Sequence, residues 1–181
     1  QRTANYSLPA RNGPLPEDVR AAHKKKYREL RKQAYFTPFG IAGYPPPDKA
    51  ATDASPEERE AKYHQKWAEG GTISYLFAYN DLLLSEDSNK TASDFVRDRI
   101  REIVNNPKTA ELLCPNDHPI GTKRICLDSG YYETFNRDNV SLVDVRSAPI
   151  KEITPAGLQT SEDMFELDSI ILATGFDAMT G

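Results

Sequence analysis

Asp168-Ser169-Ile170-Ile171-Leu172-Ala173-Thr174-Gly175-Phe176-Asp177 is the stretch that decides how this chain is read. An acidic residue opens a short apolar run, residues 170–173. The run ends on Thr174-Gly175, an aromatic ring and a second aspartate. A buried strand that ends on glycine lets a cofactor approach its backbone closely. The chain stops at Gly181, so little follows for that strand to pack against. The pattern reads as part of a larger cofactor-binding enzyme, cut where two domains meet.

Working outward, the 181 residues are 28% charged and include 13 prolines, which predicts a soluble chain with a thin core. No run approaches the roughly 20 apolar residues of a membrane span. The opening Gln1-Arg2-Thr3-Ala4-Asn5 has no basic-then-apolar signal, and the expected location is cytoplasmic. It also lacks an initiating methionine, in keeping with an internal piece. A net charge of −4 argues against general nucleic-acid binding. Cys114 and Cys126 lack paired spacing and read as free buried thiols. His23, His64 and His118 are scattered, so no metal site is expected.

Residues 1–15 read as loop, broken by Pro9, Gly13 and Pro14. Apolar spacing predicts a helix over 17–35, with Lys24-Lys25-Lys26 on its polar side. A proline-rich loop follows over 37–55. Ser55-Pro56-Glu57-Glu58 opens a second helix that stops at Gly70-Gly71, with Tyr63 and Trp67 on one buried face. Further helices are predicted over 73–84, from the Thr91–Asp94 cap to Val104, and over 107–113. Beyond Cys114 the character turns to loop and strand: a loop over 115–121, a helical turn within 129–135, and strands over 140–145, 150–154, 157–160 and 165–174. The helical block reads as an insertion and the tail as the returning half of a sheet.

Three features carry chemistry. Lys123-Arg124 follows Pro119 and Gly121 on a loop, and reads either as a surface pair or as a grip on a polyanion such as phosphate. Arg2-Thr3 opens the chain where a dinucleotide fold would read a 2′-phosphate. Asn136-Arg137-Asp138-Asn139 leads into a valine-rich run and is a turn by composition, over the paired Tyr131-Tyr132.

Taken in order, these pieces resemble the Baeyer–Villiger monooxygenases. The matching stretches are Gln1-Arg2-Thr3-Ala4-Asn5-Tyr6, Gly121-Thr122-Lys123-Arg124, Tyr131-Tyr132-Glu133, Phe135 through Val140, and Leu167 through Asp177. The phenylacetone and steroid monooxygenase branch is the most similar. The resemblance implies an α/β fold: a partial Rossmann-like NADPH-binding domain with a large helical insertion and a β-rich tail returning to an FAD domain. It implies boundaries at 1–15 for a strand end and loop, 16–114 for the insertion, 115–172 for the rest of the NADPH domain and 173–181 for the link onward. It implies FAD and NADPH as cofactors, with a ketone and molecular oxygen as substrates. The missing N- and C-terminal parts of the same enzyme become the partners, with no membrane or nucleic acid. Arg124 takes the place of the catalytic arginine, a permanent cation beside an oxygen-derived anion. Arg2, Thr3 and Lys123 take the places that hold the 2′-phosphate of NADPH. Ala173, Thr174 and Gly175 match the strand entering the FAD domain. The glycine-rich fingerprints for both cofactors are absent from these 181 residues, so the resemblance implies that this stretch alone is inactive.

Two other readings compete. A related flavin monooxygenase acting on nitrogen or sulfur would share Ala173-Thr174-Gly175 but not the Lys123-Arg124 loop. A helical interaction module would need no cofactor, and its cations would be plain surface charges.

Overall fold

Helix boundaries follow local capping chemistry wherever it is strong. The computed structural model describes residues 3–37, 40–173 and 175. Residues 3–140 form one unit and the residues from Ser141 onward a second.

In the first unit the elements run β1 (Ser7–Pro9), α1 (Glu17–Lys25), α2 (Tyr27–Tyr35), α3 (Pro56–Glu69), α4 (Thr72–Leu76), α5 (Glu86–Ile103), α6 (Pro107–Leu113) and β2 (Cys126–Asp128), with 3₁₀ turns at Ala51–Asp53 and Glu133–Asn136. Ser55 caps α3 by accepting from the Glu58 N–H, with Pro56 at the first helical position. Asn106 caps α6 in the same way, accepting from Lys108 and Thr109.

The core is aromatic. Tyr63 of α3 lies 5.5 Å from Phe95 of α5, 5.7 Å from Tyr75 and 5.7 Å from Tyr79, ring centre to ring centre. Trp67 reaches the same Phe95 ring at 6.2 Å, so it shares a face with Tyr63, but of the two only Tyr63 is buried. Such pairs add about 0.5–1.5 kcal/mol beyond simple burial. The buried phenols need partners. Tyr75 donates to the Ala92 carbonyl at 2.8 Å, and Tyr63 shares a 2.7 Å bond with Thr91. Burial pushes the Tyr63 phenol up to about 12.

Several expectations are corrected. The helix over 17–35 breaks at Lys26, and neither α1 nor α2 buries a residue. Its apolar stripe is covered only in part: Leu30 and Ala34 are half-buried, whereas Val19 and Tyr27 are exposed. The helix over 73–84 ends at Leu76, and farther along the Asp81 carboxylate accepts from the Ala51 N–H at 2.9 Å and from the Ser88 hydroxyl. The next helix starts at Glu86 rather than at the Thr91 cap. Ser85 accepts from Ser88 N–H, and Glu86 and Asp87 fill the acidic first turn. Residues 7–9, expected as loop, form β1, which pairs in parallel with the unforeseen β2. Cys126 is exposed, not buried; Cys114 is buried, and both are free.

The second unit holds an antiparallel sheet in the order β3 (Ile150–Thr154), β4 (Gly157–Thr160) and β5 (Met164–Glu166). The strand expected over 140–145 does not form. The Asp144 carboxylate accepts from the Arg146 N–H at 3.0 Å and from the Ser147 hydroxyl, a local turn that outcompetes extension. The strand expected over 165–174 stops at Glu166. Gly157, the first residue of β4, pairs with Glu166, and no described strand lies alongside the residues that follow. Ile171 and Leu172 are accordingly exposed. No described helix is long and apolar enough to cross a membrane.

Candidate cofactor-phosphate site

The loop that carries Lys123 and Arg124 is anchored at Ile120, whose side chain is fully buried. Asn89 on α5 donates to the Ile120 carbonyl at 2.8 Å, and its own carbonyl oxygen accepts from the Ile120 N–H at 3.1 Å. The chain then reverses at Gly121, where φ is +90°. A side chain at Gly121 would meet Leu83 Cδ2 at 2.6 Å, the movable end of an exposed side chain, so it is the backbone conformation that favours glycine. Thr122 closes the turn by donating its hydroxyl to the Pro119 carbonyl at 2.8 Å. Lys123 and Arg124 follow as adjacent exposed cations, and Ile125 returns to the core.

Parallel pairing of β1 with β2 sets Ser7 opposite Cys126. Thr3 precedes β1, and Lys123 precedes β2. In a parallel pair both therefore sit at the same end, although 119 residues separate Asn5 from Arg124. The link there is direct: Asn5 Nδ2 donates to the Arg124 carbonyl at 3.0 Å. Asn5 Oδ1 also lies 3.2 Å from His118 Nε2, and His118 Nδ1 lies 2.5 Å from Asp117 Oδ1.

The charges are available to an anion. Lys123 Nζ stands 3.8 Å from Asp117 Oδ2, with both side chains nearly half exposed, an arrangement of small energetic weight. Asp117 is held below the usual carboxylate range, first by its hydrogen bond to His118 and then, after the opposing effect of burial, by the Lys123 charge. Among the described residues no carboxylate pairs with Arg124. A guanidinium keeps its charge at every working pH and offers planar, two-point contact.

Of the residues expected to form the site, Thr3, Lys123 and Arg124 gather at this strand end. Arg2 and Thr174 lie outside the described residues. Ala173 and Gly175 belong to the second unit, with Gly175 at φ +81° and open space where a side chain would be. Sequence reasoning missed Asn5, Asn89 and His118. One signal for Asn89 was present. Asn89, Ser93, Val96 and Ile100 recur along one helical face, and a polar residue on an apolar stripe implies a buried partner.

Comparison with known proteins decides the relationship. The chain is 42% identical over 181 residues to 2-oxo-Delta(3)-4,5,5-trimethylcyclopentenylacetyl-CoA monooxygenase of Pseudomonas putida, covering all of this chain and 33% of that protein. It is 39% identical over 183 residues to a Baeyer–Villiger monooxygenase of Pseudooceanicola batsensis, again 100% of this chain and 33% of the relative. The chain is a homologue of the Baeyer–Villiger monooxygenases. It spans about a third of the length of these relatives. The structure of oxidized steroid monooxygenase bound to NADP superposes with a TM-score of 0.92 at 48% identity, over 99% of this chain and 34% of that one. OTEMO in complex with FAD and NADP matches with a TM-score of 0.91 at 41% identity, over 98% of this chain and 33% of that one. No protein-family model matches the sequence. Of these solved neighbours one is bound to NADP and the other to FAD and NADP, and the mixed helix-and-strand class of this chain agrees with theirs.

Proposed function

We propose that this chain is the coenzyme-phosphate and oxygenation-arginine segment of an NADPH- and FAD-dependent Baeyer–Villiger monooxygenase. The whole enzyme inserts one oxygen atom beside a ketone carbonyl to give an ester or lactone. The observation that carries the reading is the pair of exposed cations, Lys123 and Arg124. They stand on a turn fixed by Asn89 and Asn5, at the strand end that Thr3 shares.

The donor set fits a phosphate monoester. Lys123 supplies a compact point charge and Thr3 a hydroxyl; Arg2 completes the grip on the 2′-phosphate of NADPH. Bound NADPH and FAD supply reducing equivalents and oxygen activation. Arg124 holds the negative charge that develops on the oxygen of the attacked ketone, with no loss of its own proton. Ala173, Thr174 and Gly175 would belong to the stretch that leads towards the FAD domain, and the open space at Gly175 would allow close approach of a cofactor. In this reading residues 1–15 and 115–172 belong to a Rossmann-like NADPH domain, 16–114 to its helical insertion and 173–181 to the link onward.

Substituting Arg124→Ala in the full-length enzyme tests the assignment. Ester formation should fall below detection while anaerobic flavin reduction by NADPH stays measurable. Ester formed at the normal rate by that variant would remove Arg124 from the chemistry.

A further inference from the structure

The Asn5 carboxamide is oriented without ambiguity. Its oxygen accepts from the Tyr6 N–H at 3.0 Å, which leaves the NH₂ group to face the Arg124 carbonyl at 3.0 Å. The same oxygen lies 3.2 Å from His118 Nε2, and the other ring nitrogen, Nδ1, stands 2.5 Å from Asp117 Oδ1. The His118 side chain is only 7% exposed and packs edge-on against Tyr6, with ring centres 5.3 Å apart. Tyr6 in turn accepts from Arg97 of α5 at 2.9 Å, and its hydroxyl lies 3.2 Å from the His118 carbonyl. A continuous run of hydrogen bonds thus leads from a rigid helix through Tyr6, His118 and Asn5 to the backbone of Arg124.

We infer that Asn5, held by His118, is a positioning residue that sets the aim of Arg124 by fixing its backbone carbonyl. This rests on the proposed role of Arg124. The Asn5 bond is the contact that holds the Arg124 carbonyl. Without it the loop is held only upstream, at Ile120 through Asn89, and downstream, where Cys126 N–H meets the Tyr6 carbonyl at 3.2 Å. The guanidinium then samples directions in which it misses the developing charge, and a misplacement near 1 Å is enough to lower the rate.

The test is made in the full-length enzyme by counting ester against hydrogen peroxide for each NADPH consumed. Asn5→Ala should lower the ester fraction about fivefold, the scale of one neutral hydrogen bond, with peroxide making up the difference. The rate of anaerobic flavin reduction should change little. Asn5→Asp keeps the acceptor for Tyr6 and His118 but loses the donor to Arg124, and should be at least as uncoupled as Asn5→Ala. His118→Leu should uncouple partly, and His118→Gln, which restores a donor towards Asn5, should recover the ester fraction. Unchanged coupling in Asn5→Ala and Asn5→Asp overturns the inference. If the Asn5 variants do not retain flavin, His118→Leu decides, and normal coupling there overturns it equally. Arg124→Ala run alongside separates the two ideas. Loss of ester in that variant with normal coupling in Asn5→Ala defeats the positioning role alone, whereas ester from Arg124→Ala defeats the function on which it rests.

Discussion

Asn89 holds both backbone groups of Ile120, mimicking with one side chain the two bonds a neighbouring strand would make. The amide also donates to the Leu82 carbonyl at 2.8 Å and accepts from Ser93. Removing it by Asn89→Ala strands buried polar groups in the Gly121–Arg124 approach. The expected cost is about 2–4 kcal/mol, because unmade buried hydrogen bonds carry their desolvation penalty. Urea unfolding should show a lower midpoint with an unchanged slope. A midpoint equal to that of the parent protein would mean that water replaces the amide without loss.

At Gly121 two costs can be separated. The positive φ costs an alanine about 1–2 kcal/mol, and the new Cβ adds a clash with Leu83. Leu83 is 53% exposed and can move. Gly121→Ala should therefore lower the melting temperature, and Leu83→Ala in the same chain should recover only the smaller share. Full recovery in the double variant would show that the backbone conformation was not limiting.

Lys123→Ala removes one charge-assisted contact from the proposed phosphate grip. Such a contact is worth about 1.5–3 kcal/mol, so the preference for NADPH over NADH should drop about tenfold or more. Comparing kcat/KM for the two coenzymes in the full-length enzyme checks this. An unaltered preference removes Lys123 from the site.

Glu69 gives a pH signature in the helical unit. Its carboxylate accepts from Lys66 at 2.7 Å, Ser74 at 2.7 Å and Gln65 at 2.8 Å. The Lys66 bond, followed by Ser74, lowers it from 4.5 to about 2. A carboxylate lowered in the folded state stabilises the fold above its unfolded value. That contribution should disappear as the pH falls from 4.5 towards 2. Nuclear magnetic resonance titration should place the Glu69 midpoint near the lower value, and Glu69→Gln should flatten the acid limb of stability.

The two thiols should differ in reactivity. Burial pushes Cys114 up to about 11, and its Sγ donates to the Arg97 carbonyl at 3.8 Å. Only about one molecule in a thousand is then thiolate at pH 8. Cys126 is exposed and unpaired with another cysteine. Alkylation at pH 8 followed by peptide mass mapping should label Cys126 first; simultaneous labelling would mean that the α5–α6 region opens readily.

Local chemistry was legible residue by residue. Ser55-Pro56 declared its helix because a cap and its proline act within one turn. The Ile150–Thr154 and Gly157–Thr160 hairpin was equally plain, with its turn residues between the strands. The three-residue strands β1 and β2 were not, since so short a stretch is a strand only through its partner. The Asp144 turn defeated an extended run for a related reason. The carboxylate there found backbone and hydroxyl donors that propensity does not count.

By itself the sequence determined the Ser55-capped helix and the short helix that opens at Pro107. Each depends on residues a few positions apart. Only the tertiary structure decided that Asn5 meets Arg124 and that Asn89 meets Ile120. Those bonds close loops of 119 and 31 residues. A hydrogen bond across such a span leaves no periodic trace in composition, because its partner is chosen by how the chain returns on itself.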